Sequence, residues 1–243
     1  MGRALRGADP RRESPRLSAG MLSLPLGESL REVLILGAHC DDVEIGCGGT
    51  LATLARECPH VQLRVVLFSG ESVRAAETRT ALARLLPAGA RFELELLQFR
   101  DGFFPMEWPA IKERFEELKR RCNPDVIFTH HEHDRHQDHR TICELTWNTF
   151  RNHLVLEYEI PKYDGDLGRP ALFVPLSEQV VRHKIDTLLA CYASQAGKRW
   201  FTAELFAGLM RVRGMECNAE SGYAEAFYAR KLRLSFDGGQ PHK

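Results

Sequence analysis

The chain alternates short segments dense in Val, Ile, Leu and Phe with longer stretches in which apolar residues return at helical spacing. The dense segments, at residues 33–36, 63–68, 92–97, 126–128 and 154–160, predict strands. Those at 33–36 and 126–128 are unbroken apolar runs, as expected of parallel strands covered on both faces. Helical spacing predicts helices over 50–56, 74–86 and 109–121, a fourth from just after His139 to about Phe150, and closing helices over 177–190 and 200–213. Within 109–121, Ile111, Phe115 and Leu118 share one face, and Pro109 stands near the start, where its missing N–H costs nothing. Ser177 is suited to N-cap the fifth helix and Gly214 to C-cap the sixth. This alternation argues for βαβ units and an α/β fold with a mostly parallel sheet.

The same pattern sets the domain limits. Residues 28–235 predict one α/β domain without internal repeats, long enough to bury a sheet between two helix layers. Residues 1–27 hold five arginines and three prolines with no sustained apolar period, and predict a disordered extension; residues 236–243 predict a flexible tail. No apolar signal-peptide core precedes Met21, Asp9 and Glu13 argue against a transit peptide, and Met21 is an alternative start. The stretch PKYDGDLGRP, residues 161–170, is too long for a tight turn and predicts a lid or substrate wall.

Composition narrows the classes. Thirty-three basic residues balance 33 acidic ones, so no net charge draws the chain to nucleic acid or a membrane. Seven scattered cysteines with no CxxC pair predict reduced thiols and a cytoplasmic location. No apolar run approaches the length of a membrane span.

Two segments carry the chemistry. GAHCDDVEIGCGGT (residues 37–50) follows the first strand run, and THHEHDRHQDHR (residues 129–140) follows the run at 126–128. Two strands of one open sheet that both end in ligand-type side chains place them in the crevice beyond the strands' carboxyl ends. Imidazole with carboxylate suits zinc, and a catalytic zinc keeps three protein ligands and a position for water. A further carboxylate can then take a proton from water, and a further His can stabilise charge on a substrate oxygen.

AHCDDVEIGCGGT resembles the AHPDD signature of the LmbE-like (PIG-L) N-deacetylases, and DRHQDHR resembles that family's second motif, of the form HPDH or HQDH. The resemblance extends over residues 31–230, through ESVRAAETR, FRDG, NPDVIFTHH, YEIPKYDGD and AEAF. It implies a Rossmann-like three-layer sandwich, one zinc ion, and removal of an N-acetyl or other N-acyl group from an amino sugar. It implies His39, Asp42 and His139 as zinc ligands and Asp41 as general base. It also implies His136, protonated and oriented by Asp138, as the stabiliser of the oxyanion. Arg74 and Asp101 match residues that hold sugar hydroxyls in the family, although a helix-start Arg and a turn-opening Asp explain them equally. Tyr158, Lys162 and Tyr163 lie where a lid would approach substrate, while Trp200 fits a core role better than a sugar-stacking one. Members of the family often assemble, which leaves a homo-oligomer open.

Cys40 stands where the family usually has proline, freeing the turn and placing a thiol beside the ligands. GCGGT lacks the spacing of a phosphate loop, so its glycines are expected to serve close packing. His130, His131 and His133 are expected to be loop residues outside the metal site, since a tetrahedral zinc cannot use them all. Glu44 is the reserve candidate for the base. Two rival functions remain: an amidase for a thiol-sugar conjugate or other N-acyl metabolite, and a non-catalytic sugar-binding protein of the same fold.

Overall fold

A computed structural model describes residues 21–234. Its strands are β1 (Glu32–His39), β2 (Gln62–Ser69), β3 (Arg91–Leu96), β4 (Val126–His130), β5 (Leu154–Tyr158), β6 (Leu172–Pro175) and β7 (Ala224–Tyr228). Its α-helices are α1 (Asp42–Glu57), α2 (Ser72–Leu85), α3 (Trp108–Arg121), α4 (Gln137–Thr149), α5 (Glu178–Cys191) and α6 (Ala203–Glu216). Most of the expected N-terminal extension and the C-terminal tail lie outside the described residues; residues 21–26 have no regular structure.

The strands form one sheet in the order β3-β2-β1-β4-β5-β7-β6, parallel from β3 to β5 and antiparallel at β7 and β6. Alternation along β1 explains the three layers. Val33 and Ile35 join a core with residues of α1, α2, α5 and α6, whereas Leu34, Leu36 and Ala38 join a second core with Ile111, Phe115 and Leu118 of α3 and Ile142 and Leu145 of α4. Both faces of β1 are thus buried, which is why its sequence is an unbroken apolar run. Connections from β1 and β4 leave toward opposite edges of the sheet, so the crevice between their carboxyl ends is the topological switch point.

Several elements differ from their sequence reading. α1 begins at Asp42, not near Thr50, so GCGGT lies inside the helix. The glycines there do serve close packing: a Cβ on Gly46 would sit 2.3 Å from the Tyr158 ring, and one on Gly49 2.6 Å from Leu176. Gly214 is not a C-cap but lies within α6, whose C-cap is Cys217; a Cβ on Gly214 would meet the backbone of Gly222 at 2.2 Å. β6 and β7, absent from the periodicity reading, complete the antiparallel edge. Ser177 caps α5 as expected, accepting from the Val180 amide at 3.3 Å.

Candidate metal centre and active site

β1 ends at His39, and the chain turns sharply through Cys40 and Asp41 into α1. Asp41 takes a left-handed backbone conformation, φ 98°, rare for a residue with a side chain. Such strain persists only where surrounding structure enforces it, and it gathers at functional sites. Asp42 opens the helix, and its Oδ2 accepts from the His39 amide at 2.7 Å. On the other side of the crevice, His136 is the N-cap of α4, with Asp138 and His139 in the first helical turn.

These segments bring three donors to one point. His39 Nδ1 lies 3.5 Å from Asp42 Oδ2, His139 Nε2 lies 3.3 Å from His39 Nδ1, and His139 Nε2 lies 3.5 Å from Asp42 Oδ1. Ligands 2.0–2.1 Å from a tetrahedral zinc are separated by roughly 3.3–3.4 Å; the two ring nitrogens meet that spacing, and Asp42 approaches them with different oxygens, Oδ2 toward His39 and Oδ1 toward His139. The outer hydrogen bonds fix which ring nitrogens face inward. His39 Nε2 faces Asp138 Oδ2 at 3.0 Å and Asp101 Oδ1 at 3.1 Å, so the proton sits there and Nδ1 keeps its lone pair. His139 Nδ1 faces Asp134 Oδ2 at 2.8 Å, which leaves Nε2 with the lone pair. Two inward lone pairs and a carboxylate fit a divalent cation, and the carboxylates behind the rings are the usual support for metal-binding histidines.

Burial opposes a charged His39, yet hydrogen bonds to Asp101, Asp138 and Asp42 raise its pKa well above the usual value, so a divalent ion would have to displace a proton from Nδ1. His139 is held down at about 4, first by burial and then by His130. Asp42 lies well below the carboxylate range because, against burial, His139 and His130 favour its anion.

Overlapping donor groups exist among the described residues, namely His39 with His136 and His139, Asp42 with His130 and His139, and His39 with Asp101, His136 and Asp138. His130 is poorly suited to be a ligand. Its Nε2 accepts from the Ala38 amide at 2.9 Å, and its ring stacks on His139 with centroids 3.9 Å apart. It is therefore a fully buried strand residue walling the centre, not the loop residue expected. His131 is likewise buried, bonded to Glu157 at 2.8 Å and stacked on Tyr228, while His133 is exposed.

Asp41 stands beside the centre. Its Oδ1 accepts from Arg74 at 2.9 Å, and its Oδ2 is buried without a hydrogen-bond partner. Burial pushes its pKa up to about 7, with Arg74 acting in the opposite direction. Arg74 also donates to the Cys40 carbonyl and lies 3.7 Å from Asp101 Oδ2. Asp101 is half exposed, and the hydrogen bond from His39 holds it at about 2. The segments carrying Arg74 and Asp101 thus do meet at the centre.

Three expectations are corrected. The Asp138 carboxylate does not orient the His136 ring; it binds His39 and accepts the Gly102 and Phe104 amides at 2.6 and 3.1 Å. Nor is His136 raised: burial, followed by the charge on His39, lowers its pKa. Its Nδ1 instead accepts from the Asp138 amide at 3.3 Å, leaving Nε2–H as a donor. Tyr158 is no lid residue. It is fully buried, and its hydroxyl donates to the Leu36 carbonyl at 2.6 Å. Tyr163 is exposed in the segment between β5 and β6. Cys40 belongs to none of the donor groups among the described residues; its Sγ lies 3.7 Å from the Ser69 carbonyl, and burial pushes its thiol up to about 12. Glu44 is engaged by Thr78 and Tyr192 at 2.8 and 2.7 Å inside the core. Asp134 escaped the sequence reading. Its role depends on which nitrogen of His139 it faces, and the only signal was its place between two motif histidines.

Comparison with known proteins follows the same lines. Residues 34–150 match the family described as PIG-L, GlcNAc-PI de-N-acetylase. An Escherichia coli protein named uncharacterized deacetylase YaiS is 32% identical over 141 residues, which cover 53% of this chain and 74% of that protein. Among solved structures, the GalB 4-carboxy-2-hydroxymuconate hydratase from Pseudomonas putida aligns over 85% of this chain and 98% of its own, at 20% identity and a TM-score of 0.67. The N,N'-diacetylchitobiose deacetylase from Pyrococcus horikoshii aligns over 85% of this chain and 86% of its own, at 18% identity and a TM-score of 0.62. At these identities the structural likenesses speak to the fold alone.

Proposed function

The chain belongs to the PIG-L family, and on that premise we propose that it is a zinc-dependent hydrolase that removes an N-acetyl or other N-acyl group from an amino sugar or its conjugate. The observation that carries this reading is the triangle of His39, Asp42 and His139, with the unpartnered, buried Oδ2 of Asp41 at its side. When bound there, a divalent ion supplies Lewis acidity toward water and the acyl carbonyl.

The side chains divide the remaining work. Asp41 Oδ2 takes a proton from the attacking water as its oxygen bonds to the acyl carbon; a carboxyl poised near neutrality suits that task. The Arg74 guanidinium fixes the other oxygen and so aims the free one. His136 Nε2–H donates to the oxyanion that develops as the carbonyl becomes tetrahedral. The proton on Asp41 then passes to the amine nitrogen as the C–N bond breaks, leaving a carboxylic acid and a free amine. In this reading Asp101 with Arg74, and Tyr163 from the 161–171 segment, serve as contacts for the sugar.

None of the seven cysteines is in a disulfide, which supports the cytoplasmic reading. No helix among the described residues is long and apolar enough to cross a membrane.

GalB carries a hydratase on this fold, so the test has two arms. Metal-supplemented protein is offered free, nucleotide-linked, lipid-linked and glycoside-linked N-acetyl amino sugars, with acetate and free amine both measured. The reading expects one class to yield both products in equal amounts. No acetate from any class, with water added instead to an unsaturated acid, overturns it.

A further inference from the structure

Lys162 lies in the irregular segment between β5 and β6, yet its side chain is only 9% exposed. Its Nζ pairs with Asp134 Oδ1 at 2.9 Å and donates to Asp166 Oδ2 at 2.5 Å and to the Ile160 carbonyl at 3.4 Å. Two carboxylates and a carbonyl thus surround the buried charge. Asp134 spends its oxygens on both sides of the active site. Oδ2 holds His139 Nδ1 at 2.8 Å, while Oδ1 accepts the His136 amide at 2.8 Å and pairs with the Lys162 ammonium. Asp166 in turn accepts the Arg135 amide at 2.7 Å. The 161–171 segment is thus clamped to the turn at 131–136 through two carboxylates, one of which sets the ring of a metal-facing histidine. The far end of the segment is held separately: Arg213 pairs with Glu159 at 2.8 Å and donates to the Gly168 carbonyl at 3.0 Å.

We propose that Lys162 is a positioning residue that couples the docked 161–171 segment to the metal centre through the chain Lys162–Asp134–His139. The proposal rests on the metal reading given above. Without the ammonium, Asp134 keeps its bonds to His139 and to the His136 amide but loses the group that fixes the carboxylate plane, and it faces Asp166 with no cation between them. The His139 ring is then held less firmly, and metal affinity falls. Losing such outer support typically costs about ten- to a hundredfold in affinity.

The test is a zinc titration against a competing chelator on wild type, Lys162→Met, Lys162→Gln, Lys162→Arg and Arg213→Met, with the cobalt-substituted absorption spectrum as a second readout. Lys162→Met and Lys162→Gln are expected to weaken zinc about ten- to a hundredfold and to alter the cobalt spectrum. Lys162→Arg is expected to recover most of the affinity. Arg213→Met, which frees only the far end of the segment, is expected to lower thermal stability and leave zinc affinity within about twofold, well short of that loss. Should Lys162→Met fail to fold, Lys162→Gln is read in its place. Wild-type affinity and spectrum in a folded Lys162→Met or Lys162→Gln overturn the coupling, as does equal weakening by Arg213→Met. Failure of the wild-type protein to bind zinc overturns instead the metal reading beneath it.

Discussion

Asp138, in the first turn of α4, lies 3.0 Å from the outward nitrogen of His39, at the end of β1 and 99 positions away in the chain. The pair joins the two halves of the centre. With Asp134 on His139, it gives each inward-facing imidazole a carboxylate behind it, fixing both rings in the tautomer a cation needs. Asp138→Asn should therefore weaken metal binding by about ten- to a hundredfold and lower turnover only as far as occupancy falls. Activity restored by excess zinc is the expected result, measured as turnover against free metal concentration.

Asp41 is assigned the proton transfer, and its substitution separates that role from metal binding. Asp41→Asn should keep the metal and lose turnover by about a hundredfold or more. A metal analysis alongside the assay checks both halves.

The Arg74–Asp41 pair carries a pH signature. Burial brings Asp41 up to about 7, and Arg74 pulls in the opposite direction by favouring the anion. The base acts deprotonated, so activity rises with pH along the acid limb, and a cation bound alongside moves that limb lower. Removing the guanidinium raises the pKa, so Arg74→Met should shift the acid limb of kcat/KM toward higher pH. An acid limb unmoved or shifted downward would assign the titration to another group.

His136, lowered by burial, is proposed to act as a neutral donor. His136→Ala should cut kcat by about a hundred- to a thousandfold with little change in KM, as loss of an oxyanion donor does. The basic limb should stay where it is, because a neutral imidazole has no proton to lose there that the profile would report. Steady-state kinetics across the pH range read both effects.

Away from the chemistry, Lys184 and Glu225 form a buried pair at 2.6 Å that also reaches α1, where Glu225 accepts the Gly49 and Thr50 amides and Lys184 donates to the Ile45 carbonyl. Lys184→Met leaves a buried carboxylate without its cation and should cost about 3–5 kcal/mol in denaturant unfolding.

Much of this was legible in the sequence because it was local. β1 and β4 read as buried strands from their apolar runs, and the motif residues at their ends followed from the topology of open parallel sheets. β6 and β7 escaped because they are short strands of an antiparallel edge, four and five residues long, with no run or alternation long enough to register a period. The helical extent of α1 escaped because Gly46, Gly48 and Gly49 read as a loop, whereas Gly46 is there to admit the Tyr158 ring. The supports of the histidines escaped for a different reason. Whether Asp138 serves His136, two positions away, or His39 across the crevice depends on the direction of one side chain from a helix start, and sequence spacing does not encode it.

The central claim is that His39, Asp42 and His139 hold one divalent ion on which N-deacylation depends. Its most direct measurement is acetate release by chelator-stripped protein as zinc is returned in substoichiometric steps, using whichever N-acetyl amino sugar the substrate panel identifies. The account predicts that the stripped protein is inactive and that activity climbs linearly to a break at one equivalent. Undiminished acetate release from fully stripped protein would contradict it.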